Sequence, residues 1–144
     1  MSTQSELLKE RTMQFALDVL RLIDTFPRTI AGDVIGHQLA KAATSSAANY
    51  RATCNARSRA EFIAKLGLVV EETDESEFWL DVSIRKPLIK REAGEPLRRE
   101  AHELRSIFGR SVGTARANAA SAKRQAKRPV RGEIMHDVKQ SIDQ

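Results

Sequence analysis

Between Ser45 and Leu80 two helical patterns run into one another across a turn of only a few residues. Ser45-Ser46-Ala47-Ala48-Asn49-Tyr50-Arg51 belongs to the first; the second runs through Glu61-Phe62-Ile63-Ala64-Lys65-Leu66 and Glu72 to Trp79-Leu80. A break this short gives two long helices no course except back along each other, so the stretch dictates an antiparallel pair. The boundary has its own chemistry. Ser58-x-x-Glu61 is spaced as a capping box, whose hydroxyl and carboxylate can satisfy two backbone N–H groups that a helix start leaves without partners.

The same reading places four helices. The first is predicted from about Ser5 to Thr25, entered by Thr3-x-x-Glu6 and stopped by Pro27. The second covers roughly Gly32 to Cys54, and the third ends near Arg85 or Lys86, ahead of Pro87. The fourth opens at Pro96, a good first-turn residue, and carries Leu97, Ala101, Leu104, Phe108 and Ser111 at helical spacing to about Ala115. The seven Gly are few, and the four Pro lie between these stretches. Short connections make neighbours antiparallel, so residues 1–116 are predicted to form an all-α, up-down-up-down four-helix bundle.

Charge sets the remainder apart. Residues 116–144 hold seven Lys/Arg against three acids, +4 of the chain's formal +5. From Arg116 to Arg131 Ala, Lys and Arg dominate and large apolar groups are almost missing, too little to offset the entropy of ordering. Residues 117–144 are therefore predicted to be a basic, disordered tail. Cys54 is alone and excludes an intrachain disulfide, no apolar run approaches the roughly 18 residues of a spanning helix, and the polar N-terminus does not read as a signal peptide. A soluble, cytoplasmic protein is the expectation.

Spacing residues about 100° apart gives the first helix more apolar surface than a bundle needs. Leu8, Phe15, Val19, Leu22 and Phe26 form the core stripe, while Met13, Leu17 and Leu20 form another on nearly the opposite side. Covering three such side chains is worth several kcal/mol, at roughly 1.5–3 kcal/mol each, which predicts self-association through them. The third helix places Phe62, Leu66, Val69, Thr73, Leu80 and Ile84 on one face, and Leu68, Glu72, Glu75 and Trp79 on another. Trp79 among carboxylates suits an interface, or packing on a neighbouring helix of the same chain. On the Ala-rich second helix Gln38, Ser45 and Asn49 share an edge. Folding about Asn55–Arg57 sets Lys41 level with Glu72 and Gln38 level with Glu75, a predicted polar seam with a Lys41–Glu72 pair.

Catalytic patterns are missing. Di-iron bundles need two Glu-x-x-His motifs on bundle helices, and the one Glu-x-x-His here is Glu133-x-x-His136 in the tail. There is no Gly-rich phosphate loop and no His/Cys metal spacing, so no catalytic residue, cofactor or metal is predicted.

Gln38-Leu39, Ala43-x-Ser45, Ala48-Asn49-Tyr50-Arg51, Ala56-Arg57-Ser58, Glu61-Phe62, Lys65-Leu66 and Glu72-x-x-Glu75-x-x-x-Trp79-Leu80 together resemble the four-helix-bundle proteins encoded in intervening sequences of bacterial 23S ribosomal RNA. The likeness runs from about Leu8 to Ala117. It implies an up-down bundle that assembles as a ring of five, similar in fold to the accessory protein of diversity-generating retroelements, which binds nucleic acid and a reverse transcriptase. Ala52 and Thr53 stand where an acidic residue is common, and the long basic tail departs from the pattern.

Two functional classes follow. In the first, an oligomer binds RNA or DNA through Arg57, Arg59, Lys123, Arg124, Lys127, Arg128 and Arg131, since up-down topology brings the tail out beside the second turn. Without interleaved aromatics, base stacking contributes no specificity. In the second, the bundle is a protein-interaction scaffold or accessory subunit that touches no nucleic acid, with its outer apolar stripe and Trp79 face holding a partner.

Overall fold

The computed structural model describes residues 3–128. Four helices account for most of them: α1 (Gln4–Ile23), α2 (Ile30–Cys54), α3 (Arg59–Arg85) and α4 (Arg91–Ala126). α1 packs on α2, α2 on α3, α3 on α4 and α4 back on α1, while across the diagonals the backbones stay apart and only core side chains such as Tyr50 and Phe108 meet. This is the predicted up-down-up-down bundle. Among the described residues no helix is long and apolar enough to cross a membrane.

Local chemistry sets the helix starts. Thr3 Oγ1 accepts from the Glu6 N–H at 3.2 Å while the Glu6 carboxylate accepts from the Thr3 N–H at 2.8 Å, a complete capping box. Those hydrogen bonds hold the Glu6 carboxyl below the usual carboxylate range. At α3 the box is offset: Ser58 Oγ accepts from the Glu61 N–H, but the Glu61 carboxylate reaches the Arg57 N–H, one residue beyond the predicted partner. The α1–α2 turn is tight. Thr29 caps α2 by accepting from the Gly32 N–H at 3.0 Å, and a side chain at Gly32 would lie 2.0 Å from the Pro27 carbonyl oxygen, so only glycine fits. The Lys86–Pro87 peptide between α3 and α4 is cis.

The core follows the predicted stripes. Phe15, Val19, Leu39, Leu66, Val69, Leu80, Leu104 and Phe108 are essentially dry, and the Tyr50 ring lies tilted on Phe108 with centroids 4.9 Å apart. Burial pushes the Tyr50 hydroxyl well above its ordinary pKa. Ala42, Ala43 and Ser46 keep α2 thin against its neighbours. The buried hydroxyls of Thr12, Ser46, Thr53, Thr73, Ser76 and Ser83 each donate to a carbonyl three or four residues back in their own helix. Small polar residues thus enter the core without leaving a polar atom unpaired.

Three sequence expectations need correction. Phe62 is not a core residue; it sits in the first turn of α3 and is 37% exposed. α4 begins at Arg91, placing Pro96 inside it: Ala93 and Gly94 N–H groups already bond the Lys90 carbonyl, and the proline omits one donor near the helix start. α4 also runs to Ala126, eleven residues past its predicted end, so residues 117–126 are helical although almost all are exposed. Ala, Lys, Arg and Gln are strong helix formers, and this segment continues a helix already nucleated on the core.

Candidate interaction surfaces

α1 presents Phe15, Val19 and Leu22 to the core, which turns Met13, Leu17 and Leu20 outward. Their exposures are 45%, 38% and 36%. The single chain therefore leaves the second stripe uncovered, as helical-wheel geometry predicts. On α3 three successive residues divide among three environments. Leu80 is fully buried, Trp79 is half-buried against the core of its own chain, and Phe78 is 56% exposed with its ring edge-on to Trp79 at 4.9 Å. The Trp79 N–H reaches the Glu75 carboxylate at 3.4 Å.

The expected polar seam is not bonded, and only its Lys41, Glu72 and Glu75 are shown close enough to act on one another. Gln38, Ser45, Asn49 and Glu72 are half-buried, while Lys41 and Glu75 are exposed. Burial raises the Glu72 carboxyl pKa, the nearby Glu75 charge raises it further, and Lys41 pulls it down. Lys41 and Glu72 nevertheless form no ion pair, and the side chains of Gln38, Ser45 and Asn49 make no hydrogen bond with a described residue. Holding the long, exposed Lys41 side chain in one geometry costs about as much entropy as a partly solvated pair returns.

The polar chemistry that does form lies on α4. Glu77 of α3, only 19% exposed, lies 3.1 Å from His102 Nδ1 and accepts from Arg105 Nε at 3.3 Å, with Arg98 3.7 Å away; Arg105 also reaches Asp74 at 3.4 Å and His102 Nδ1 at 3.1 Å. Across the other side, Arg11 of α1 grips Glu100 with two N–H groups and reaches Glu103 at 3.1 Å. Glu100 is the main reason the Arg11 pKa rises above its ordinary value. Glu95 is held down to about 2, first by the Arg98 hydrogen bond and then by the Arg98, Arg99 and Arg91 charges. Arg98, His102 and Arg105 recur at intervals of four and three, matching Asp74 and Glu77 on the facing helix. That periodicity was the available sequence signal.

The cations at the far end differ from these. After Glu103 no acid occurs in α4, and Arg110, Arg116, Lys123, Arg124, Lys127 and Arg128 are all exposed. α4 runs antiparallel to α3, so its last turns pass the start of α3, where Arg59 and Lys123 line one groove with Ala60, Ile63, Ala119 and Ala122. Arg57 is exposed in the adjoining turn. None of these eight cations forms an ion pair with a described residue. Six of the seven predicted nucleic-acid contacts (Arg57, Arg59, Lys123, Arg124, Lys127, Arg128) thus belong to the same end of the bundle; Arg131 lies outside the described residues. Among those residues no group of three or more His, Cys, Asp or Glu is placed to hold a metal ion.

A comparison with curated proteins finds no match. Among solved structures, the chain is similar to a Bacteroides thetaiotaomicron protein of unknown function from the S23 ribosomal protein family, with 30% identity and a TM-score of 0.67. The similarity covers 96% of that chain and 72% of this one. The model of the 23S rRNA-intervening sequence protein family matches residues 6–110, which span α1 to α3 and the part of α4 that carries Glu100, His102 and Phe108. The bundle just described is that family's unit, and this chain belongs to the 23S rRNA-intervening sequence protein family.

Proposed function

We propose that the chain is a non-enzymatic, self-associating bundle, working in the cytoplasm, that holds the phosphate backbone of RNA or DNA at its cationic end. One observation carries this reading: seven exposed cations without ionic partners among the described residues, Arg57, Arg59, Arg116, Lys123, Arg124, Lys127 and Arg128, stand where the α2–α3 turn meets the acid-free half of α4, with Arg110 further back along the same half. Every other stretch of α4 and α3 pairs its cations with carboxylates, as Arg98, Arg99 and Arg105 do. Unpaired cations on a rigid helix neutralise phosphates and release counterions, which gives binding that is largely independent of sequence and steeply dependent on salt. No aromatic side chain lines the groove between Arg59 and Lys123, so base stacking adds little there. Self-association through Met13, Leu17 and Leu20 multiplies the cationic ends.

The test is fluorescence anisotropy of labelled RNA and DNA oligonucleotides against the full chain, titrated with salt. Two phosphate contacts from each of five copies would give a log–log slope of about −9 at roughly −0.9 per phosphate. Deleting residues 117–144 is expected to abolish retention and leave the assembly's size set by the remaining bundle. Persistent binding after the deletion moves the site onto the bundle, with Arg85, Lys86, Lys90, Arg91, Arg98 and Arg99 as its candidates. No binding by the full chain at low salt refutes the reading and leaves the scaffold role.

A further inference from the structure

Between Gly109 and Ala126 the outward side of α4 follows a pattern. At about 100° per residue, Arg116 and Lys123 fall on one line with the C-cap Lys127, while Arg110 and Arg124 fall on another about 100° around the helix. The arc that these two rows bracket holds, besides the cations, only Gly109, Gly113, Ala117 and Ala120, and all of these residues are exposed. Val112, Ala115 and Ala119 lie on the other side, toward the bundle. Packing within the chain does not call for the glycines: a side chain at Gly109 or Gly113 would meet nothing within 4 Å, and glycine weakens a helix relative to alanine. What they provide is a low face, between two rows of cations, that another molecule can approach closely. Counting along the antiparallel pair from the Glu77–His102 contact sets Arg59 level with Ala120, so the last turns of α4 run past the start of α3.

We infer that this half of α4 enters the major groove of a DNA duplex, with one row of cations on each of the two bordering strands. The inference rests on the proposed function and names the polyanion that such a surface takes. Width decides the choice. A helix with its side chains is about 10–12 Å across, and the B-form major groove is about 12 Å wide. With only Gly and Ala at its front, α4 can approach the groove floor while the side chains on its two flanks meet the phosphates on either side. Arg110 and Arg124 stand about 21 Å apart along the axis, so one row spans several phosphates of a strand. Arg59, across from Lys123, adds to the other row. Duplex RNA offers a deep, narrow major groove closed to side chains, and a single strand is held by stacking on aromatic side chains, of which this arc has none.

Matched probes and groove-specific competitors test this on the full chain. Fluorescence anisotropy at one salt concentration compares a mixed-sequence DNA duplex, the RNA duplex of the same sequence and one DNA strand alone. Groove entry predicts binding to duplex DNA about tenfold tighter, or more, than to either of the others. Methyl green, which occupies the major groove, should displace the protein; distamycin, which occupies the minor groove, should not. Arg110→Gln combined with Arg124→Gln removes one row at exposed positions, with far-UV circular dichroism to verify the helices. The salt slope should become shallower by about 1.8, at roughly 0.9 per phosphate, and most of the preference for duplex DNA over duplex RNA should disappear. Equal affinity for the two duplexes, displacement by distamycin rather than methyl green, or a preference untouched by the double substitution overturns groove entry and leaves the phosphate-binding reading in place. No binding to any probe at low salt overturns both.

Discussion

Replacing Leu17 by Glu tests the outer face of α1 directly. Met13, Leu17 and Leu20 keep 45%, 38% and 36% of their surface exposed in the single chain. Full burial of such a side chain is worth roughly 1.5–3 kcal/mol, so covering the remaining two-fifths contributes about 0.6–1.2 kcal/mol each, or about 2–4 kcal/mol for the stripe. Leu17→Glu removes the central share and puts a carboxylate where the neighbouring copy offers hydrocarbon, at a further cost of several kcal/mol if it stays ionised. A loss of about 3 kcal/mol per contact weakens each by more than a hundredfold. The isolated helix does not suffer: Glu and Leu have similar helix propensity, and Arg21 stands four residues on as a partner for the new charge. Light scattering after size exclusion should therefore report a smaller particle, while far-UV circular dichroism stays that of the parent. A parent that is monomeric at high concentration, or a variant of unchanged mass, refutes the stripe as a contact surface.

The same Gly→Ala substitution is expected to have opposite signs at two sites. At Gly32 the new methyl meets the Pro27 carbonyl at 2.0 Å and Thr29 Oγ1 at 3.2 Å, so the turn must open and the α2 cap weaken, costing about 2–4 kcal/mol. At Gly67, inside α3 with nothing within 4 Å, it should gain about 0.5–1 kcal/mol, and urea midpoints at one protein concentration decide both signs. Glu72→Gln removes a charge whose carboxyl pKa is raised in the fold. The folded state therefore binds the proton more tightly than the unfolded chain, and ionised Glu72 costs stability only above the carboxylate range. The variant should be more stable than the parent at neutral pH, by less than about 1 kcal/mol given the partial exposure, and the two should converge as pH falls below that range; denaturation at both pH values measures it.

Helix order and the core were legible because periodicity and punctuation agree. Thr3, Ser58, Pro27 and Pro87 mark ends that their backbone chemistry enforces, and Phe15, Val19, Leu80, Leu104 and Phe108 keep the helical interval of a buried face. The errors on α4 have a common source. Pro96 signals a helix start and the Ala/Lys/Arg segment signals disorder only locally; in the chain each follows a helix nucleus that is already formed. Charge pairing was less legible. Lys41 and Glu72 feel one another's charge but close no ion pair, whereas Glu77 meets His102 and Arg105 through complementary spacing on both helices. The cationic end could be anticipated because topology alone brings the last turns of α4 to the first of α3.

The outer stripe of α1 lies inside the family's span, whereas five of the eight unpaired cations lie beyond it, and that division has a physical basis. Among the described residues, 6–110 include every buried side chain but Val112, together with the Arg11–Glu100 and Glu77–His102 contacts. This part has the apolar area and the polar pairing to hold a bundle by itself. The rest of α4 buries little, so its residues are free of packing constraint and its composition reflects another requirement. If that requirement were solubility alone, mixed charges would serve as well as cations and would pair along the helix at intervals of four. The segment instead keeps one sign over more than twenty residues and is held in line by the helix, which places like charges close together at an energetic cost. Such repulsion is relieved by an extended polyanion laid along the helix.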